Sequence, residues 1–179
     1  MKILVTAASR HGSTKEIASL IAGLLEDAGL EADVREPDDV MSLAGYDAAV
    51  IGSGVYLGRW LDPARQMIER CRGEFAGRRV WLFSCGPLGD PAKPDGGPAD
   101  GEALQVATGA IEHRVFPGRL VKVDLGFAEK VIVAGVRAPY GDYRPWDDIT
   151  TWARAIANRL RTVDLAETLE IPVAEPVRI

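Results

Sequence analysis

The sequence predicts an α/β fold in which one open, mostly parallel β-sheet carries helices on both faces. Short apolar segments rich in β-branched residues alternate with amphipathic helical segments, as in repeated strand–helix–strand units. The opening segment, Lys2–Ala8, has the composition of a strand that is buried on both faces. No internal repeat and no linker between two cores is recognisable, so we expect one domain over residues 1–161 and an extended tail over 162–179.

Each predicted element follows from a local pattern. Strands are expected at 2–8, 30–35, 48–52, 80–85 and within 113–123. Helices are expected around 17–25, from Asp62 and Pro63 onward, at 102–111, at 126–133 and around 149–160. Asp62 is the expected N-cap of the second helix, because a carboxylate accepts hydrogen bonds from the free amides of a first turn. Glycine and proline at 86–101 and 138–145 predict loops.

Composition and charge argue against several classes of function. The chain is 47% hydrophobic and 26% charged with a net charge of −5, and no stripe of Lys and Arg offers a track for nucleic acid. The N-terminal apolar run is too short for a signal peptide or a transmembrane span. Cys71 and Cys85 lie in apolar segments and are expected to be buried, reduced thiols, which favours a cytoplasmic protein.

Three loops that follow predicted strands are expected to meet at the carboxyl edge of the sheet, where ligands of such folds bind. They are the segments 9–14, 53–60 and 84–90. No Ser/His/Asp arrangement is recognisable around the two histidines, and the chain has no C-x-x-C, H-E-x-x-H or G-x-x-x-x-G-K-[ST] motif. We therefore expect that the protein is not a hydrolase of the serine type or a nucleoside triphosphatase, and that it has no metal site.

The first loop, SRHGST, has the chemistry of an anion site. It offers hydroxyl groups at Ser9, Ser13 and Thr14, a glycine at 12 and the free amides of a helix N-terminus. Ser13 and Glu16 also fit a capping box, which would explain both residues without any ligand. On the sequence alone the two interpretations have equal weight.

Other residues of these loops also allow two interpretations each. His11 is either a solvent-exposed turn residue or a phosphate donor, and Arg10 adds charge if its side chain points to the anion. Tyr56 and Trp60 are either stacking partners for a flat ring or packing residues. Gly86 and Gly89 either bring amides close to such a ring or simply form a turn.

The first loop resembles the S/T-x-x-G-x-T phosphate loop of the flavodoxin family in content and position. The segments ILVTAASRHGSTKEIA, YDAAVIGSGVYLGRW and VIVAGVRAPYGDYRPWDDITTWARAIA are similar to flavodoxin-type, menaquinone-dependent protoporphyrinogen IX dehydrogenases. The resemblance spans roughly residues 2–161. It implies a flavodoxin-like three-layer sandwich with a five-stranded parallel sheet of strand order 2-1-3-4-5.

The resemblance also implies a bound FMN and assigns residues to it by position. The phosphate would be held by Ser9, Arg10, His11, Gly12, Ser13 and Thr14. One side of the ring would face Ser53, Gly54, Val55, Tyr56, Leu57 and Gly58. The other side would face Ser84, Cys85, Gly86, Pro87, Leu88 and Gly89. No catalytic side chain and no metal ligand follow from the resemblance.

In function the resemblance implies transfer of hydride equivalents from a porphyrinogen through FMN to a quinone. Two features differ from those dehydrogenases. Tyr56 and Leu57 stand where a basic residue and then a tyrosine are expected, and the segment 140–145 is compact where a longer basic insertion is expected. The alternatives are an electron-transfer flavodoxin that serves a redox protein and a cofactor-free binding module. Homodimer formation through the tail and peripheral membrane contact are left open.

Overall fold

The computed structural model describes residues 1–86, 97–121 and 140–169, with the side chains of the last helix described as far as Thr162. The strands in these residues are β1 (Lys2–Ala8), β2 (Glu31–Arg35), β3 (Ala48–Tyr56), β4 (Arg59–Trp60), β5 (Arg79–Cys85), β6 (Glu112–Phe116), β7 (Arg119–Leu120) and β8 (Gly141–Asp142). The helices are α1 (Ser13–Asp27), α2 (Asp62–Arg70), α3 (Gly101–Thr108) and α4 (Trp146–Leu169). Short 3-10 helices lie at Pro37–Asp39 and Arg72–Glu74.

Five parallel strands form the central sheet in the order β2-β1-β3-β5-β6. Counted without the short β4, this is the predicted order 2-1-3-4-5, and the prediction is confirmed. Two features go beyond it. The two-residue β4 pairs antiparallel with the end of β3, and β7 and β8 form a separate antiparallel ribbon. In this order the carboxyl ends of β1, β3 and β5 lie side by side.

Alternating side chains of the strands build two cores, one on each face of the sheet. In β1, Ile3 and Val5 point toward the core that contains α1 and α4, whereas Leu4 points toward the core that contains α2. The amphipathic stripe predicted for the last helix is buried in the first core, as expected. It consists of Ile149, Trp152, Ala153, Ile156, Ala157 and Leu160. The result is the predicted three-layer sandwich.

The predicted extended tail is wrong for residues 162–169, because α4 continues without interruption to Leu169. The physical reason is the absence of a helix breaker: no glycine or proline follows Arg161 until Pro172, and Leu165, Ala166 and Glu167 are good helix formers. Residues 170–179 lie outside the described residues, so the division at residue 161 stays a prediction.

Other boundaries differ by a few residues from the prediction. Asp62 is the first residue of α2 and not its N-cap, which is Leu61. The carboxylate of Asp62 instead accepts a hydrogen bond of 2.9 Å from Arg65 within the same helix. The helix predicted at 102–111 ends at Thr108, because Gly109 adopts a left-handed conformation with φ of 62°. The helix predicted at 126–133 lies outside the described residues.

Candidate functional site

The first loop forms a tight turn into the N-terminus of α1. Gly12 is the N-cap residue, and its φ of 83° belongs to the left-handed region that favours glycine. The amide of Thr14 donates a hydrogen bond of 3.2 Å to the hydroxyl oxygen of Ser9, which closes the turn. The first amides of a helix have no acceptor within the helix. Residues 9–14 thus place backbone amides and three hydroxyl-bearing residues at the N-terminal end of α1.

The capping box proposed from the sequence does not form. Ser13 is already the first residue of the helix, and no side chain caps its N-terminus. The carboxylate of Glu16 instead accepts a hydrogen bond of 2.7 Å from Arg144 and lies 3.3 Å from a guanidinium nitrogen of Arg119. Helix capping therefore does not account for Ser13 and Glu16, whose observed partners are arginines.

Arg144 is a residue of the site that the sequence analysis missed. Its side chain is only 2% exposed and donates hydrogen bonds to the backbone oxygen of Ser13 at 3.0 Å and to Asp142 at 2.6 and 2.8 Å. The hydrogen bonds with Asp142 raise the pKa of Arg144 further above its already high ordinary value. Its guanidinium also lies over the ring of Trp146, at 4.4 Å from the centroid. Arg144 thus joins the segment before α4 to the first turn of α1.

The second loop is a β-hairpin, which we call the hairpin and define as residues 54–60. Its two-residue turn consists of Leu57 and Gly58, with φ of 50° and 76°, the left-handed pair typical of tight hairpins. Tyr56 is half-buried, and the guanidinium of Arg10 lies 4.4 Å from its ring centroid. This contact joins the first and second loops. Trp60 is 2% exposed, so for this residue the packing interpretation is correct.

Ser53 and Ser84 hold the hairpin in place and do not face a ligand. Both are fully buried. The Ser53 hydroxyl donates a hydrogen bond of 2.9 Å to the Gly54 carbonyl and accepts one of 3.0 Å from the amide of Leu61. The Ser84 hydroxyl accepts one of 2.7 Å from the indole of Trp60. The hydroxyl groups at these two positions are therefore engaged within the protein.

The structure also brings together a serine and a histidine that the sequence analysis did not connect. The Ser84 hydroxyl oxygen lies 2.8 Å from Nε2 of His113, although the two residues are 29 positions apart. Burial lowers the pKa of His113, and the negative charge of Asp100 opposes this effect. The Ser84 hydroxyl is fully buried and is engaged by both the indole of Trp60 and the imidazole of His113, which is the arrangement of a structural hydrogen-bond chain.

The third loop begins at Cys85 and Gly86, both of which are buried. Burial raises the pKa of the Cys85 thiol, and a hydrogen bond with the Thr14 side chain opposes this effect. The amide of Gly86 donates a hydrogen bond of 2.8 Å to the Phe116 carbonyl. Gly86 also lies close to the hairpin, because a Cβ added to it would be 3.7 Å from Val55. The predicted ligand residues Pro87, Leu88 and Gly89 lie outside the described residues.

The three loops therefore converge at the carboxyl edge of the sheet, as predicted. Arg10 contacts Tyr56, Thr14 contacts Cys85, and a Cβ on Gly54 would lie 3.3 Å from the Thr14 hydroxyl. Among the described residues no group of His, Cys, Asp and Glu side chains has the arrangement of a metal site. Within the same residues, no helix has the length and apolar composition needed to cross a bilayer.

The fold and the loop geometry define a class of protein, and sequence comparison agrees with it. The family model described as "Flavodoxin domain" matches residues 4–144. The chain belongs to the flavodoxin family. Flavodoxin family proteins bind a flavin and pass electrons to redox partners.

Particular relatives are found by sequence and by structure. The protoporphyrinogen IX dehydrogenase [quinone] of Escherichia coli K12 is 31% identical over 72 residues, which are 39% of this chain and 40% of that protein. A flavodoxin of Pseudomonas aeruginosa, solved as a cysteine-to-serine mutant, superposes with a TM-score of 0.59 at 20% identity, over 90% of this chain and 99% of that one. Rubredoxin oxygen:oxidoreductase of Desulfovibrio gigas gives a TM-score of 0.60 at 14% identity, over 90% of this chain and 36% of that one.

Proposed function

We propose that this chain binds FMN non-covalently at the three converging loops and works as a flavodoxin-type oxidoreductase. The observation that carries the proposal is the first loop, where hydroxyl and amide donors of residues 9–14 gather at the N-terminus of α1. This donor set suits a phosphate group, because amides and hydroxyls at a helix N-terminus stabilise an anion.

The surroundings of this loop also fit a phosphate. A Cβ added to Gly12 would meet no atom within 4 Å, so the loop has open space beside its backbone. Glu16 in the first turn would repel an anion, but Arg144 at 2.7 Å and Arg119 at 3.3 Å neutralise its charge. The loop therefore presents its donors without an uncompensated negative charge.

For the flavin ring, the candidate surface is the hairpin together with Gly86. Tyr56 supplies an aromatic ring that is half-buried at the edge of the loops. A Cβ added to Gly58 would meet no atom within 4 Å, so the backbone there can be approached by a flat ring without obstruction. Bound FMN would supply the redox chemistry, while the protein orients the ring and controls access to it.

We further propose that the reaction is of the porphyrinogen–quinone type, for which the sequence similarity to the Escherichia coli dehydrogenase is the support. The charges near the hairpin favour this over an electron shuttle between proteins. The exposed side chains of Arg10 and Arg59 are basic, whereas a shuttle that is steered to its partners is expected to carry an acidic rim. Porphyrinogens carry carboxylates, which basic side chains would attract.

The phosphate assignment is tested by replacing Thr14 with alanine. Loss of one or two charge-assisted hydrogen bonds, about 1.5–3 kcal/mol each, should weaken FMN binding at least about tenfold. The measurement is quenching of flavin fluorescence on titration with the apoprotein. Riboflavin, which lacks the phosphate, should bind Thr14→Ala and wild type equally well, and Thr14→Ser should restore FMN affinity.

Thr108 offers a matched control for this variant. Thr14 and Thr108 are both 2% exposed helical threonines, and the Thr108 hydroxyl donates a hydrogen bond of 2.8 Å to the Leu104 carbonyl of α3. Thr108→Ala should cost similar stability and leave FMN affinity unchanged. Equal FMN affinity of Thr14→Ala and wild type would remove the phosphate assignment.

The reaction type is tested with the FMN-loaded protein under anaerobic conditions. After flavin reduction by protoporphyrinogen, a menaquinone analogue should reoxidise the flavin, as followed by its absorbance. Turnover with both small molecules and without a protein partner supports the dehydrogenase. Failure with both small molecules, combined with reoxidation by a redox protein, would favour the electron-transfer flavodoxin.

A further inference from the structure

A chain of three side chains ties the hairpin to the sheet, and we call it the latch: Trp60, Ser84 and His113. The indole nitrogen of Trp60 lies 2.7 Å from the Ser84 hydroxyl, which in turn lies 2.8 Å from Nε2 of His113. The rings of Trp60 and His113 also meet edge to face, with centroids 5.8 Å apart and planes at 84°. The latch thus connects β4, β5 and β6 beneath the proposed flavin site.

The direction of the hydrogen bonds in the latch follows from the chemistry of its members. An indole N–H can only donate, so the oxygen of Ser84 is the acceptor for Trp60. In the neutral tautomer that carries its hydrogen on Nδ1, Nε2 of His113 accepts the single hydrogen of the Ser84 hydroxyl. This nitrogen accepts a hydrogen bond only when the imidazole is neutral. A protonated His113 would present a second donor to Ser84 and leave the serine hydrogen without its acceptor.

Backbone hydrogen bonds also hold the hairpin beside the latch. The backbone amide of Trp60 donates a hydrogen bond of 3.3 Å to Asp100, and the amide of Ala99 donates one of 2.7 Å to the Gly58 carbonyl. These bonds come from the residues directly before α3.

The charges that face His113 come from two neighbouring segments. Asp100, before α3, is negative and favours protonation of His113, whereas burial of the imidazole opposes protonation more strongly. Arg65 of α2 lies 3.5 Å from Asp100 and partly neutralises that carboxylate. The neutral imidazole is therefore the form that this environment stabilises at neutral pH.

We propose that neutral His113 is a positioning residue, which acts through Ser84 and Trp60 to hold the hairpin in the arrangement that receives the FMN ring. Protonation of His113 reverses its hydrogen bond with Ser84, leaves the buried serine hydrogen without an acceptor and so weakens the latch, loosens the hairpin and weakens FMN binding. The proposal rests on the proposed FMN site, and it adds a control of that site by pH.

The test compares FMN affinity at pH 7.5 and at pH 4.5 for wild type and His113→Gln, because burial lowers the pKa of His113 and its protonation requires a more acidic solution. The FMN phosphate itself titrates near pH 6, so the informative quantity is the difference between the two proteins. Glutamine keeps an acceptor for the Ser84 hydroxyl and does not titrate. The affinity of wild type should fall about fivefold more than that of His113→Gln, which is the effect of losing one hydrogen bond. Equal falls would overturn the proposal.

Two further variants separate the latch from other causes. His11, the other histidine of the chain, lies in the first loop, so His11→Gln tests whether this residue produces the pH effect instead. The FMN affinity of His11→Gln should fall with pH as much as that of wild type. If the fall in His11→Gln were only as large as in His113→Gln, the proposal would be overturned. Trp60→Phe should weaken FMN binding at pH 7.5, whereas Trp81→Phe, in the core on the opposite face, should not.

The FMN-free protein provides an independent measurement. The indole proton of Trp60, identified in NMR spectra by its absence in Trp60→Phe, should exchange faster with water as His113 becomes protonated. An indole proton that stays protected through the titration of His113 would overturn the proposal. Failure of wild type to bind FMN at any pH would overturn the proposed function instead, and this NMR measurement would still decide whether the latch opens.

Discussion

At the scale of single residues, Leu57 stands out as a leucine in a conformation that suits glycine or asparagine. Its φ is 50° and its side chain is 76% exposed at the tip of the hairpin. A leucine at this position buries little apolar surface, and its left-handed backbone conformation is energetically unfavourable. The turn would be less strained with asparagine before Gly58, the pair that two-residue hairpins prefer.

We therefore expect Leu57→Asn to raise the free energy of unfolding by up to about 1 kcal/mol, measured by chemical denaturation of the FMN-free protein. Val106→Asn is the control, because Val106 is 78% exposed in α3 and valine and asparagine have similar helix propensities. That change should stay within about 0.5 kcal/mol of wild type. A stability gain of the same size at both positions would show that removal of exposed apolar surface, and not backbone strain, is responsible.

Residue roles were the part of the site that the sequence predicted least well. The positions of Ser53 and Ser84 at strand ends suggested ligand contacts, but their side chains turn inward to hold Leu61 and Trp60. Whether a strand-end serine faces a ligand or the core depends on the path of the neighbouring hairpin, which no local pattern encodes. Arg144 was missed for a similar reason, since its carbonyl partner Ser13 is 131 positions away in the chain.

At the scale of elements, local patterns predicted the strands and helices well and their ends less well. The buried stripe of α4 from Ile149 to Leu160 repeats at helical spacing, and its burial is confirmed. The stripe carries no information about where the helix ends, so its continuation to Leu169 was not anticipated. The capping motif at Ser13 failed because the loop places Gly12 at the cap and draws Glu16 to Arg144.

The connection between the segment before α4 and helix α1 depends on Arg144, and its removal should destabilise the protein. In Arg144→Met the partners Glu16 and Asp142, which are 46% and 39% exposed, regain water, but the Ser13 carbonyl loses a donor. We expect a loss of about 2 kcal/mol in the free energy of unfolding, measured by urea titration at pH 7.

Arg72→Met is the matched control for this substitution. Arg72 also binds a carboxylate at 2.6 Å, that of Glu69, but the two side chains are 62% and 66% exposed. Exposed pairs of this kind contribute little, so the expected loss is below about 1 kcal/mol. Equal losses for the two variants would mean that burial of Arg144 adds nothing to its ion pairs.

At the scale of the whole molecule, the fold was predictable because every level of the sequence agrees with it. Buried strands such as Lys2–Ala8 alternate with amphipathic helices, and this alternation alone favours a parallel sheet covered on both faces. The order of the strands came from the resemblance carried by the first loop and is confirmed. The antiparallel β4 was not foreseen, because a two-residue strand has no recognisable pattern.

The packing between the sheet and the helices depends on Gly52, a glycine in the middle of a strand and not in a loop. A Cβ added to Gly52 in β3 would overlap the ring of Phe83, which packs in turn against Trp152 of α4. Gly52→Ala should therefore cost at least about 2 kcal/mol, measured by thermal or urea unfolding, because a rigid ring in a full core has nowhere to move.

Gly23→Ala provides the opposite expectation. Gly23 lies within α1, and a Cβ there would meet no atom within 4 Å. Alanine should stabilise the helix by about 0.5–1 kcal/mol. A similar loss at both positions would show that the contact between Gly52 and Phe83 does not limit the packing of the sheet.

The ties of the hairpin also have a consequence for the order of events during folding. Trp60 contacts partners that lie 24 and 40 positions later in the chain, so we expect the hairpin to become ordered only after β5 and the start of α3 have assembled. If the pocket forms after the folding transition state, FMN cannot bind to that transition state. In stopped-flow experiments, FMN should therefore leave the refolding rate constant unchanged. It should lower only the unfolding rate constant, because it stabilises the native state and not the transition state.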